Sequence, residues 1–268
     1  MTTQTLDKTT VTLRSGHQQT VFRGGEGPPL VWFHPANGIV DGHPLVDALS
    51  ERFSIVAPLA PGFTDLEELD DVRDIHELAM CYDDLFEALG LENARVIGHS
   101  FGGMIAAELA AHYPRRVARL VLIAPVGLWN DAYPVVDFFA VPLPELPDLL
   151  YADKEVADRD FPPPPADDAE PDIEALVTVV QGMTSVAKFM WPIPDRGLDR
   201  RLYRIAAPTL VVFGEQDRLV PAWYADDFIA GIADARKVIV PGAGHMVPVE
   251  RPDEVLAAIE AFLSSVPG

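Results

Sequence analysis

Short apolar runs, each followed by a helical pattern, recur along this chain and constrain its fold more than any other feature. The runs are Leu30-Val31-Trp32-Phe33, Ser54 to Ala57, Ala94 to Ile97, Leu120 to Ile123, Pro208 to Phe213 and Lys237 to Val240. Apolar runs without polar alternation are what strands need when both faces of a parallel sheet are covered. Helical spacing fills the gaps at Pro44 to Arg52, Asp74 to Leu89, Gly103 to His112, Ala222 to Ile232 and Pro252 to Leu263. In the second of these, Ile75, Leu78, Ala79, Tyr82, Leu85, Phe86 and Leu89 mark one face, and Gly90 ends it. Strand-helix alternation of this kind predicts an α/β fold, a mostly parallel central sheet with helices on both faces. Val11 to Leu13 and Thr20 to Phe22, split by Ser15-Gly16, predict an opening hairpin.

The rhythm breaks between 126 and 203. This stretch carries Pro134, Pro142, Pro144, Pro147 and the run Pro162 to Pro165, with one helix expected over Pro171 to Phe189. It also holds Trp129, Tyr133, Phe138, Phe139, Phe161, Phe189, Met190 and Trp191, which a flexible linker would leave exposed at a cost. We therefore expect residues 126–203 to form an inserted helical cap on a core made of 1–125 and 204–268. Its aromatic content predicts an apolar pocket, with Trp129, Phe138, Phe139, Met190, Trp191 and, from the core, Met246 as candidate substrate-binding residues.

The chemistry is concentrated in Gly98-His99-Ser100-Phe101-Gly102-Gly103, between a strand and a helix. A sharp strand-to-helix turn lifts a serine hydroxyl out of the sheet, and small flanking residues make room for it. The N–H of Phe101, at the helix N-terminus, is a candidate oxyanion donor. Serine needs a base, and a histidine aligned by a carboxylate is the usual one. His245 follows the last predicted strand in Pro241-Gly242-Ala243-Gly244-His245, and Asp217 follows the strand before it in Gly214-Glu215-Gln216-Asp217. All three fall at carboxyl ends of parallel strands, where α/β sheets build their sites. Glu215 is the rival acid, read here as a solvated turn residue.

In motif, strand context and the order Ser, Asp, His, the chain resembles the α/β-hydrolase family along nearly its whole length. The resemblance implies the α/β-hydrolase fold, Ser100 as nucleophile, Asp217 as acid and His245 as base. It implies a second oxyanion donor in the backbone of Ala36, within His34-Pro35-Ala36-Asn37-Gly38, where relatives often read His-Gly. Proline at 35 departs from that pattern and supplies no N–H.

Composition removes other classes. Lys and Arg number 20 against 41 for Asp and Glu, a net charge of -21 that repels nucleic acid and anionic membranes. No apolar stretch approaches a bilayer span, and residues 1–10 lack a signal-peptide pattern. With the lone Cys81, read as a packed thiol, this leads us to expect a cytoplasmic protein. His17, His43, His76 and His112 are scattered without ligand spacing, so no metal site is expected; His34 and His99 are read as structural. No nucleotide loop is present, and no cofactor is implied.

These readings predict a serine hydrolase that cleaves a carboxylic ester or lactone of a small to medium, largely apolar substrate through an acyl-serine intermediate. Carbon–carbon bond hydrolases of ring-cleavage products are the first alternative, although they commonly carry Asn before the nucleophile and Trp after the histidine, where this chain has His99 and Met246. A non-catalytic ligand receptor on the same fold is the second. Haloalkane dehalogenases and epoxide hydrolases use an aspartate nucleophile, and Ser100 argues against both.

Overall fold

The structure is a computed structural model that describes residues 6–161 and 173–264. Its frame is an eight-stranded sheet in the order β1-β2-β4-β3-β5-β6-β7-β8. The strands are β1 (Asp7–Thr12), β2 (Gln18–Gly24), β3 (Pro29–Phe33), β4 (Ser54–Pro58), β5 (Ala94–His99), β6 (Val117–Ile123), β7 (Thr209–Gly214) and β8 (Ala235–Val240). β1 and β2 form the expected hairpin, each longer than the sequence reading, and β2 runs antiparallel to β4. From β4 through β3 to β8 every pairing is parallel. The central strands are buried along most of their length, as their unbroken apolar runs require.

The helices are α1 (Pro44–Ser50), α2 (Ile75–Ala88), α3 (Phe101–His112), α4 (Leu146–Leu150), α5 (Lys154–Asp160), α6 (Ile173–Met190), α7 (Tyr224–Gly231), α8 (Val247–Glu250) and α9 (Pro252–Ser264). Two apolar clusters sandwich the sheet. One joins α2, α3 and α7 to one face through Tyr82, Phe86 and Phe228; the other joins α1 and α9 to the opposite face through Leu45, Leu49 and Phe262. Asp74 caps α2 by accepting from the N–H groups of His76 and Glu77, both at 3.0 Å.

α3 starts two residues earlier than its sequence pattern indicated. The N–H of Met104 already bonds the carbonyl of Ser100, so helical bonding begins at the turn itself. Between β6 and β7 the chain forms more regular structure than its prolines suggested. Besides α4, α5 and α6 it holds 3-10 turns at Phe138–Ala140, Leu143–Glu145 and Leu202–Arg204. Pro144 and Pro147 sit in first turns, where a missing N–H costs nothing, so they start helical segments instead of breaking them. The proline run 162–165 and Pro171, the expected start of the long helix, lie outside the described residues. α6 is fastened to the loop after β4: Gln181 Nε2 donates to the Gly62 carbonyl at 2.9 Å, while Ser185 and Lys188 donate to Pro61 and Leu69. These three positions share one face of the helix.

Candidate active site

Ser100 stands between β5 and α3 with φ 55° and ψ −115°, a left-handed conformation that costs a non-glycine residue energy. The turn is held on both sides: Ser100 N–H bonds the Ile123 carbonyl at 2.8 Å, and the Ser100 carbonyl accepts from Val126 at 3.3 Å. Its tightness dictates the neighbouring glycines. A Cβ at Gly98 would sit 2.2 Å from the Gly102 carbonyl oxygen, and one at Gly102 would sit 2.1 Å from that of Phe33.

His245 Nε2 lies 2.8 Å from Ser100 Oγ, and its Nδ1 lies 2.8 Å from Asp217 Oδ2. An ionised carboxylate only accepts, so Nδ1 carries the proton and Nε2 keeps the lone pair that faces the hydroxyl. The other oxygen of Asp217 accepts from the N–H groups of Leu219 and Val220, at 3.0 and 2.8 Å. The carboxylate is thus fixed by its own turn as well as by the histidine. All three residues are buried. Glu215, the rival acid, is exposed and faces the N–H of Gly242 at 3.3 Å, away from the site.

Phe101 is the first residue of α3, so its N–H has no acceptor within the helix. Ala36 lines the same cavity as Ser100. Its loop is ordered by His34, whose Nε2 accepts from Ala60 N–H at 2.9 Å and whose Nδ1 donates to the Pro35 carbonyl at 2.7 Å. Burial lowers the pKa of His34 to about 4, which keeps it neutral in this bridging role. His99 is fully buried and donates through Nε2 to the His245 carbonyl at 3.0 Å; burial and the neighbouring His245 hold its pKa well below the usual imidazole value.

Ser100 and His245 open onto a cleft of about 160 Å³. Phe138, Met190 and Met246, three of the expected substrate-binding residues, line it. Trp129 and Phe139 do not; they line a second cavity of about 50 Å³, which shares Phe138, Met190 and Leu219 with the first. Trp191 lines neither and is 54% exposed. One residue is about 100° of helical turn, so at the end of α6 Met190 faces inward and Trp191 outward. Sequence patterning did not single out Phe63, Leu146, Tyr151, Met183 or Leu219 as part of the wall. None carries a local signal, because segments distant in sequence bring them together. Apart from His245, no residue that could carry a charge at neutral pH lines the main cleft among the described residues.

Glu250, on α8, escaped the sequence reading as well. Its buried carboxylate accepts from Gly244 N–H and from Ala152 and Asp153 N–H, all at 2.7 Å. It therefore ties the loop of His245 to the link between α4 and α5. His76 and His112, scattered in sequence, meet where α2 packs on α3: His76 Nδ1 lies 3.1 Å from His112 Nε2, and Glu108 Oε2 is 3.6 Å from the latter. Both oxygens of Glu108 are already bonded by Arg201, at 2.7 and 3.0 Å. That pairing makes the group a structural ion pair with histidine neighbours.

A strained serine at a strand-helix turn, a histidine and a buried carboxylate in one hydrogen-bonded line on a mostly parallel sheet define the serine-triad class of α/β proteins. Residues 24–258 match the family described as the alpha/beta hydrolase family, and the chain belongs to it. It is 27% identical over 254 residues to a dihydrolipoyllysine-residue acetyltransferase component of the acetoin cleaving system from Cupriavidus necator, covering 90% of this chain but only 65% of that relative. It is 27% identical to the 2-hydroxy-6-oxo-6-phenylhexa-2,4-dienoate hydrolase of Comamonas testosteroni, over 86% of this chain and 85% of the relative. It is 26% identical to the monoacylglycerol lipase ABHD6 of Bos taurus, over 91% and 78%. In fold it is similar to a meta-cleavage product hydrolase from Pseudomonas fluorescens IP01, with a TM-score of 0.75, 19% identity and coverage of 96% and 97%. Among the described residues no helix is long and apolar enough to cross a membrane.

Proposed function

We propose that this chain is a serine hydrolase that cleaves carboxylic esters or lactones with an apolar acyl or alcohol part. The observation that carries this reading is the line Ser100, His245, Asp217, with both links at 2.8 Å, opening onto an apolar cleft. Ser100 Oγ attacks the carbonyl carbon while His245 Nε2 takes its proton. The oxyanion receives the N–H groups of Phe101 and Ala36. When the intermediate collapses, His245 gives the proton to the leaving alkoxide, and Ser100 keeps the acyl group. Water, deprotonated by His245, then attacks the acyl-serine and releases the acid. In this reading residues 126–203 act as a cap whose inner side selects the substrate.

Hydrolysis of ring-cleavage products, the activity in the name of the Comamonas relative, is less favoured by the lining. A dienoate brings a carboxylate, and a buried carboxylate without a cation is costly. No Lys or Arg among the described residues lines the cleft. Neutral esters meet no such cost, in keeping with the likeness to a monoacylglycerol lipase.

The test is release of p-nitrophenol from acyl esters by the wild-type chain, Ser100→Ala and His245→Ala. Turnover lost in both variants supports the mechanism. No wild-type turnover above the variants rejects esterase and returns carbon–carbon cleavage or ligand reception to the front.

A further inference from the structure

Two cavities meet at one wall. Phe138, Met190 and Leu219 border both the cleft at Ser100 and a smaller cavity. We propose that this second cavity is a binding site for the far end of a long apolar chain, alkyl or aryl, on a substrate whose ester carbonyl sits at Ser100. This rests on the esterase reading.

The lining fits an uncharged hydrocarbon group. Val126, Val135 and Phe139 supply aliphatic and aromatic surface. The one carboxylate on the lining, Asp137, is turned to its own backbone and accepts from Phe139 N–H at 3.2 Å. The indole N–H of Trp129 is likewise engaged, by Asp131 at 2.9 Å, which leaves the ring itself as wall. Asp137 is exposed, and the other lining side chains among the described residues are apolar or, like Trp129, have their polar group bonded, so burial of apolar surface is the main attraction on offer.

The shared wall is built to yield. Met190 is an unbranched thioether with several rotatable bonds, the side chain best able to move aside without a new cavity cost. Phe138 sits on a single 3-10 turn, Phe138–Ala140, not on a long element. A short ester would fill the cleft and leave the wall closed. A longer one would displace Met190 and extend beyond it, so the wall sets a threshold in chain length.

The experiment compares kcat/KM for short and long substrates in two series, p-nitrophenyl acyl esters and acetates of n-alkanols, so that either arm of the ester can report. Wild-type turnover of the shortest esters tests the esterase reading alone, and its absence overturns both that reading and this proposal. With turnover in hand, Met190→Ala joins the two spaces and is expected to raise the long-to-short ratio of kcat/KM about tenfold in one series, roughly the effect of burying two more methylenes. Val135→Phe narrows the second cavity and is expected to lower the same ratio by a similar factor. A folded Met190→Ala that leaves the ratio unchanged in both series overturns the proposal, as does an unchanged ratio in Val135→Phe. If Val135→Phe does not fold, judged by its melting transition, Val136→Phe takes its place from the same lining.

Discussion

The imidazole of His99 hydrogen-bonds the backbone carbonyl of His245 at 3.0 Å, so the residue before Ser100 holds the main chain of His245. The two rings lie 5.6 Å apart, both buried. Strand β5 and the loop after β8 are thereby joined across the sheet, beside the hydrogen bond between His245 and Ser100.

Replacing His99 by Ala removes that donor and leaves a buried carbonyl unpaired. A loss of about 1–3 kcal/mol in urea unfolding is expected. With His245 less well placed, kcat is expected to fall about tenfold or more. Ester turnover and denaturation of the same preparation check both.

Asp217→Asn keeps shape but can offer Nδ1 of His245 a donor, favouring the wrong tautomer. A fall in kcat of about 10⁴ is expected, with KM little changed. Glu215→Gln, altered on an exposed side chain, is expected to retain activity. The pair of variants decides which carboxylate serves the histidine.

Acid should destabilise this chain through its buried imidazoles. Burial lowers His34 and His43 from the ordinary 6.5 to about 4. Between those values the unfolded chain binds protons that the folded chain refuses, so stability falls as pH falls through that window and these two groups add no further loss below it. Each contributes about 3 kcal/mol at neutral pH on that span. The change in net charge across the same range is common to all variants. His43→Asn is therefore expected to give a shallower fall of melting temperature from pH 6.5 to 4 than wild type.

Glu250→Gln leaves a side chain with one accepting oxygen where two oxygens now take three N–H groups. A loss of about 2–4 kcal/mol is expected by denaturant unfolding, since hydrogen bonds to a buried charge are the strong ones. Because Leu150 and Tyr151, next to the tied Ala152, line the cleft, acyl-chain preference is expected to shift as well.

Arg201→Met strands Glu108, which is 1% exposed, without its cation. A loss of about 3–5 kcal/mol is expected, and a second change, Glu108→Leu, should recover much of it. Melting temperatures of the single and double variants give the coupling.

Much of the frame was legible because its signals are local. The unbroken runs at β3, β5, β6 and β7 report burial on both faces, and the glycines around Ser100 report a turn that no Cβ could enter. The three residues of the line at Ser100 also followed from position, since each lies in the turn or loop after a parallel strand. What was not legible lies between β6 and β7. Pro144 and Pro147 lay in a stretch where only one helix was expected, and each stands in the first turn of a helical segment, a placement that depends on the residues after them. Trp191 read as pocket and is solvent-facing, because composition does not say which side of α6 a residue takes. Glu250 carried no signal at all: its partners are backbone N–H groups, which every sequence has.

The uncharged lining of the cleft bears on the end of the cycle as much as on its beginning. In the proposed ester hydrolysis a neutral ester becomes an anion, created among Phe138, Met183, Met190 and their neighbours, where no Lys or Arg among the described residues lines the cleft to receive it. Water outside solvates it far better. On that reading the acid is driven from the cavity by the change of charge that the reaction itself produces, and turnover is expected to be little slowed by accumulated acid.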